Sequence, residues 1–179
     1  RKQRFTSTHH ETFDYIEISD VLSNGEVSGT TIHANEAPDR ATWYVRNGDV
    51  ITSTVRPIRR LSAIIQPEQD GFVASSGFAV LEPAQVPAEL LLVYLRLPII
   101  CGLMDLHTTA SLYPAISVPD ILGMPFSRPS DKAIDQIVQD VRQSHAARRN
   151  AKHLLDQAKR AVEVAIEQDE AAGLRILQN

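Results

Sequence analysis

Ser130-Asp131-Lys132-Ala133-Ile134-Asp135-Gln136-Ile137-Val138-Gln139-Asp140-Val141 opens a run that continues to about Ala172, with no glycine or proline until Gly173. Pro129 stops whatever precedes it. The Ser130 hydroxyl can cap the first turn, and Asp131 sets a negative charge at the positive end of the helix dipole. The pattern predicts one long helix. At 1.5 Å per residue, about forty residues reach about 60 Å, more than a domain of this size needs to cover a core. Heptads read from Ile134 place Ile134, Val141, Arg148, Leu155 and Val162 at one seam position. Ile137, Ser144, Ala151, Ala158 and Ala165 take the other. Val138, Leu154 and Ile166 broaden the stripe, and the alanines permit close approach, so a partner helix is expected on this face. A surface helix lying along its own domain is the plainer alternative.

Working outward, residues 1–128 are expected to form one compact domain and residues 129–179 the helix. The chain has 179 residues, 43% of them hydrophobic, enough for one ordinary core with the helix as an appendage. Cys101 is the one cysteine. A disulfide within the chain and a cysteine zinc cluster are therefore excluded, and the default compartment is a reducing cytoplasm with Cys101 as a buried apolar residue. The most apolar stretch, residues 90–104, is broken by Arg96 and Pro98, so no membrane span is expected, and no signal-peptide pattern opens the sequence. The sequence opens on Arg1 rather than methionine, and the natural chain is expected to begin earlier.

The net charge of −4 argues at first against a polyanionic partner. Its distribution is more informative. Residues 1–127 hold nine Lys and Arg against fourteen Asp and Glu, and residues 128–179 hold nine against eight. Within the acidic part, five arginines (Arg40, Arg46, Arg56, Arg59, Arg60) face one acid, Asp49, between positions 40 and 60. Arg1, Lys2 and Arg4 form a second basic cluster. These patches could meet a nucleic acid if they share a face.

The domain reads as strand-rich α+β. Tyr15-Ile16-Glu17-Ile18-Ser19 alternates as a half-buried strand does, Ser23-Asn24-Gly25-Glu26 is a turn, and a strand is expected near 27–32. Trp43-Tyr44-Val45 and residues 49–55 are expected to pair as a hairpin around Asn47-Gly48. Short strands follow near 61–65, 72–74 and 77–81. Helices are expected at 88–97 and 99–106, then a polar loop from His107 to Ser111, Tyr113-Pro114, and a last strand near 124–127 leading into the long helix.

Catalytic patterns are missing. The eight glycines form no phosphate cradle, and there is no H-E-x-x-H and no G-x-S-x-G. His9 and His10 are adjacent, so in an extended segment they point to opposite faces. His145 and His153 lie eight apart on the helix, too far to share an ion. No metal, cofactor or catalytic residue is expected, and an enzyme is disfavoured.

Five segments in order carry a resemblance: Tyr15-Ile16-Glu17-Ile18-Ser19-Asp20-Val21; Gly48-Asp49-Val50-Ile51-Thr52-Ser53-Thr54-Val55-Arg56-Pro57; Ser75-Ser76-Gly77-Phe78-Ala79-Val80-Leu81; Tyr113-Pro114-Ala115-Ile116-Ser117; and Ile134-Asp135-Gln136-Ile137-Val138. Together they span nearly the whole chain. They resemble one target recognition domain, with its following coiled-coil helix, of the specificity (S) subunit of type I restriction-modification systems. The segment that usually opens such a domain is missing before Arg1. A full S subunit also carries two domains and two helices, so the chain resembles a half subunit.

The resemblance implies a non-catalytic subunit, in a prokaryotic cytoplasm, that binds double-stranded DNA sequence-specifically. Its partners would be methyltransferase (M) subunits, which hold S-adenosylmethionine and the catalysis, with or without a restriction (R) subunit. Because the two family helices pack antiparallel, a chain with one helix is expected to pair with a second copy through Ile134, Ile137, Val141, Arg148, Ala151, Leu155, Ala158, Val162 and Ile166; the alternative is a helix that waits for a methyltransferase subunit, giving a monomer in isolation.

Candidate DNA contacts are Thr52, Ser53, Thr54, Arg56, Arg59 and Arg60 at the end of a strand, with Arg40. There, hydroxyl and guanidinium donors could reach phosphates and base edges. His107, Thr108, Thr109, Ser111 and Tyr113 form a second candidate loop, rich in small donors and ending in a rigid Tyr-Pro. A coiled-coil scaffold without nucleic-acid affinity, and a recognition domain from a fused methyltransferase, remain open.

Overall fold

Alternating burial along Thr12–Ile16 (β1) turns Phe13 and Tyr15 to one face and Ile16 to the other, as a strand covered on both sides requires. In the computed structural model, which describes residues 3–7, 11–109 and 114–177, β1 sits inside a four-stranded sheet. It pairs antiparallel with Thr30–His33 (β2) and parallel with Val73–Ser75 (β6), and β6 pairs antiparallel with Ala41–Tyr44 (β3). Residues 3–5 run beside β3, where Tyr44 N–H donates to Gln3 O (3.0 Å) and Phe5 N–H to Thr42 O (2.9 Å). A second sheet is built on Val50–Ser53 (β4), flanked by Ser62–Ile64 (β5) and Phe78–Leu81 (β7), all antiparallel.

The chain divides into two compact units, Arg1–Ile134 and Asp135–Asn179. In the first, Ile16 and Ala74 of one sheet and Ile51, Ala63, Phe78 and Val80 of the other share a single apolar cluster, so the sheets face each other across it. Phe5, Phe13, Tyr15 and Val73 form a smaller cluster on the far face of the four-stranded sheet, with the Phe5 and Phe13 rings 4.3 Å apart. Ala88–Leu95 (α1) packs on β4 and β5, so β4 is buried on both faces. Pro98–Leu106 (α2) follows and packs on a 3-10 turn, Pro57–Arg59. Val118–Leu122 (α3) begins at Ser117, whose hydroxyl accepts from Asp120 N–H (3.2 Å).

Several expectations are corrected. The Asn47-Gly48 turn does not close a hairpin, because β3 and β4 belong to different sheets. Val45 N–H donates to Phe72 O, which keeps the end of β3 beside β6. Gly48 N–H donates to Ile65 O, which draws the next residues toward β5 (both 2.9 Å). The turn is therefore a crossover between sheets, with Gly48 at φ 87°. The first strand lies three residues earlier than its alternation suggested, since residues 18–20 form a 3-10 turn in which Glu17 N–H donates to Asp20 Oδ2 (2.8 Å). Residues 124–127 are not a strand. Tyr94 Oη donates to Pro125 O (2.8 Å), and its ring meets Phe126 edge-on at 5.2 Å, so the segment is fastened to α1 through side chains.

The second unit is helical. Asp131–Glu167 (α4), which starts within the first unit, is not continuous to Ala172; it stops, and Glu170–Leu177 (α5) folds back on it. Asp169 caps α5, accepting Ala172 N–H at 2.7 Å. A Cβ on Gly173 would lie 2.6 Å from Ala161 O and 2.7 Å from Ala165 Cβ, so the two helices touch through their backbones. Ala161, Ala172 and Gly173 are buried in this contact. Ala165, a seam position in the heptad reading, is thus taken by the chain's own α5.

Candidate nucleic-acid interface

The end of β4 carries Thr52, Ser53 and Thr54, which are 2%, 3% and 8% exposed. Thr52 Oγ1 lies 2.7 Å from Ser62 Oγ, Ser53 Oγ donates to Val55 O (2.9 Å), and Thr54 Oγ1 donates to Gly77 O (3.0 Å). The expectation that these hydroxyls reach outward to phosphates is corrected. Buried hydroxyls must bond inward or carry a desolvation cost, and these three fasten the loop that follows.

That loop is held tightly. Val55 bridges Ala115, Ile116 N–H donates to Thr54 O, and Arg56 N–H donates to Pro114 O (both 2.9 Å). Arg56 and Arg60 both take the left-handed backbone conformation, φ 51° and 56°, on either side of Pro57–Arg59. Arg59 N–H closes on Arg56 O (3.0 Å), Arg60 N–H on Pro57 O (2.9 Å), and Ser62 N–H on Arg60 O (3.0 Å). Pro57 is buried beneath the turn, while Arg56, Ile58, Arg59 and Arg60 are exposed.

The second candidate loop stands on the same base. Thr109 bridges Ala115, with Thr109 N–H donating to Ala115 O (2.9 Å) and Ala115 N–H to Thr109 O (3.2 Å). Ala115 therefore lies between Thr109 and Val55, and the backbone of two segments read separately in the sequence meets there. His107 and Thr109 are exposed; Thr108 is half-buried with its hydroxyl on Asp105 O (2.8 Å). Ser111 and Tyr113 lie outside the described residues, as do Arg1, Lys2, His9 and His10.

Arg40 joins this end of the domain through the backbone. Its carbonyl accepts Ser76 N–H (2.7 Å), and the adjoining Gly77 O accepts Thr54 N–H (2.9 Å). Arg46 does not join it: it precedes β4, whereas Arg56 follows it, and its guanidinium donates to Gln3 Oε1 (3.0 Å). The basic window therefore splits, leaving Arg40, Arg56, Arg59 and Arg60 at one end of β4. The charge of Arg60 is felt in α2, where burial pushes the Cys101 thiol up and the Arg60 and Arg96 charges partly oppose it. Ile58 went unnoticed in the sequence, although an aliphatic residue inside an Arg-Pro-Ile-Arg-Arg turn was visible there.

On the second unit, Leu154, Leu155, Val162 and Ile166 of α4 are exposed, as are Leu174 and Leu177 of α5; Ala151 and Ala158 are exposed between them. Ile134 is buried in the first unit, and Ile137, Val141 and Arg148 are half-buried. Among the described residues, no group of three His, Cys, Asp or Glu could hold a metal ion, and no helix is long and apolar enough to cross a membrane.

No protein-family model matches the sequence, and no curated protein matches it. Among solved structures, the chain is similar to the HsdS subunit from Thermoanaerobacter tengcongensis. The TM-score is 0.69 at 25% identity, over 92% of this chain and 44% of that one. It is also similar in fold to a chain in a structure described as the basis of complex assembly and conformational transition of the type I R-M system, with TM-score 0.68 and 24% identity over the same shares. The chain thus spans less than half the length of either neighbour. The first of these neighbours is an HsdS subunit, the second a chain from a type I R-M system structure, and the mixed α+β domain followed by a long helix is the fold expected from the resemblance.

Proposed function

We propose that the chain is a non-catalytic specificity subunit, or half of one, that carries a type I restriction-modification complex to a bipartite DNA sequence in a prokaryotic cytoplasm. The observation that supports this reading most is that Arg56, Arg59 and Arg60 stand exposed on one hydrogen-bonded turn at the end of β4, fastened through Val55 and Arg56 to Ala115 and Pro114, in a domain whose remainder is acidic. Guanidinium groups so placed can bridge phosphates and reach guanine edges, while bulk acidity suppresses binding away from the target. The partners are double-stranded DNA, M subunits and, where cleavage accompanies modification, an R subunit. Enrichment from a random-sequence duplex library at low ionic strength tests the reading. A recovered interrupted palindrome supports it; recovery of no preferred sequence refutes it and leaves a coiled-coil scaffold.

The interruption follows from assembly. Each exposed aliphatic among Leu154, Leu155, Val162 and Ile166 forfeits about 1.5 to 3 kcal/mol of burial. An antiparallel pairing with a second copy would cover them and bring Arg148 near its own symmetry mate, with Ala151 and Ala158 allowing close approach. Two identical reading heads would then stand tens of Å apart, since the 37 residues of α4 extend for about 55 Å at 1.5 Å per residue. Sedimentation equilibrium should give a dimer that Leu155→Asp dissociates. A monomer at tens of micromolar, indifferent to that substitution, would contradict the pairing.

A further inference from the structure

We infer that Ile58 is a specificity-determining contact, its side chain meeting the C5-methyl group of a thymine in the major groove. The inference rests on the DNA-reading role proposed for the 56–60 turn and goes beyond it, since that role drew on the arginines alone.

Ile58 is 55% exposed at the tip of a turn that has every reason to be costly. Left-handed conformation is unfavourable for an L residue with a side chain by about 1 to 2 kcal/mol, and Arg56 and Arg60 both adopt it, one on each side. The strain is held by four backbone hydrogen bonds, from Arg56, Arg59, Arg60 and Ser62, and by burial of Pro57. Such a turn is a rigid pedestal, and what it lifts into water is a branched aliphatic side chain. Folding gains nothing from that placement, because an aliphatic group is stabilised by leaving water. β-Branching restricts χ1 on a fixed backbone, so the side chain loses comparatively little freedom on meeting a partner.

The surroundings favour DNA over protein as that partner. From Thr54 to Leu61 the sequence has three arginines and no acid, and all three arginines are exposed. Guanidinium groups flanking the tip suit the two phosphate walls of a groove, whose floor presents one apolar group, the thymine methyl, to an aliphatic residue. An apolar protein groove would leave three cations to desolvate. Ile99 and Leu106 of α2, 68% and 82% exposed, could extend such a protein-docking surface, and the experiment distinguishes the two.

Fluorescence anisotropy would be measured with the full chain on the duplex recovered by enrichment, its thymines replaced one at a time by deoxyuridine. At one thymine in each half-site, wild type should lose about fourfold in affinity, the effect of one buried methyl group. Ile58→Ala should lose at least as much on the natural duplex, become indifferent to deoxyuridine at that position, and melt at the wild-type temperature because the side chain is exposed. Ile58→Ala binding as tightly as wild type, or remaining sensitive to the same deoxyuridine, overturns the inference. If Arg56→Ala and Arg60→Ala still weaken binding in that case, the DNA-reading role stands and the thymine contact alone falls. If neither does, both fall.

Discussion

Replacing Arg60 by glycine should make the protein more stable and a poorer DNA binder, whereas replacing it by alanine should only impair binding. Arg60 sits at φ 56° and closes its turn through a backbone bond, N–H to Pro57 O at 2.9 Å, which every residue except proline can make. Left-handed backbone costs a residue with a Cβ about 1 to 2 kcal/mol relative to glycine. Glycine returns part of that relief, about 0.4 to 1 kcal/mol, through the greater freedom of its unfolded chain. The net gain is about 0.8 kcal/mol at the midpoints of these two ranges. At about 2 to 4 °C per kcal/mol for a chain of this size, Arg60→Gly should melt about 1 to 4 °C above wild type. Arg60→Ala keeps the strain and should melt within about 1 °C of wild type, since an exposed side chain away from the core contributes little. Scanning calorimetry of the three proteins gives the melting temperatures, and anisotropy on the selected duplex gives affinities, in which both variants should fall about tenfold. Arg60→Gly melting no higher than Arg60→Ala would refute the view that this turn stores strain to display its side chains.

Three further outcomes follow from the packing. Gly173→Val should force α5 off α4, because its side chain would collide with backbone at Ala161 and with Ala165; amide exchange across residues 170–177 should then approach that of an isolated peptide, and unchanged protection would contradict the contact. Cys101, fully buried with its thiol pushed up by burial, should react with a thiol reagent only as fast as the fold opens, so a rate independent of denaturant at low denaturant and close to that of a free thiol would contradict its placement. Burial pushes the Asp49 carboxyl up, against the Arg46 N–H bond at 2.8 Å. The native state therefore holds the Asp49 proton more tightly than the unfolded chain, and this contribution to stability is lost as pH rises from the ordinary carboxylate range through the raised value. Asp49→Asn keeps an acceptor for Arg46 and removes the charge, so its advantage over wild type should be present at pH 7 and shrink on acidification; an advantage that grows toward low pH would be the wrong sign.

The sequence revealed elements whose signal is local and repeated. The helix opening at Ser130 was legible from a proline stop, a cap and heptads. Residues 88–97 and 99–106 were legible because apolar content and Pro87 and Pro98 mark helices against a sheet. What failed was partner choice. Asn47-Gly48 is a turn, as its residues dictate, but whether a turn joins neighbours in one sheet depends on bonds such as Val45 to Phe72, made by residues far apart in sequence. The Thr52-Ser53-Thr54 hydroxyls looked like surface donors because polarity is read residue by residue. They are interior because β4 is the central strand of its sheet and α1 covers it. The fold-back of α5 was in fact written in Asp169 as a cap and Gly173 as a close-approach residue, but an unbroken helical pattern masked both. The arginine cluster was legible as composition; that Arg46 leaves it and that Pro114 and Ala115 adjoin it needed the topology.

The central claim is that the end of β4 reads DNA, and the salt dependence of binding tests it most directly. Affinity for the selected duplex, measured between about 50 and 200 mM salt, should fall steeply for wild type, as phosphate contacts require. Arg56→Ala and Arg60→Ala should each either lower the log-log slope by roughly one unit, if the guanidinium meets a phosphate, or cost about 1 to 3 kcal/mol at an unchanged slope, if it meets a base. Affinity and slope that match wild type in both variants would contradict the account.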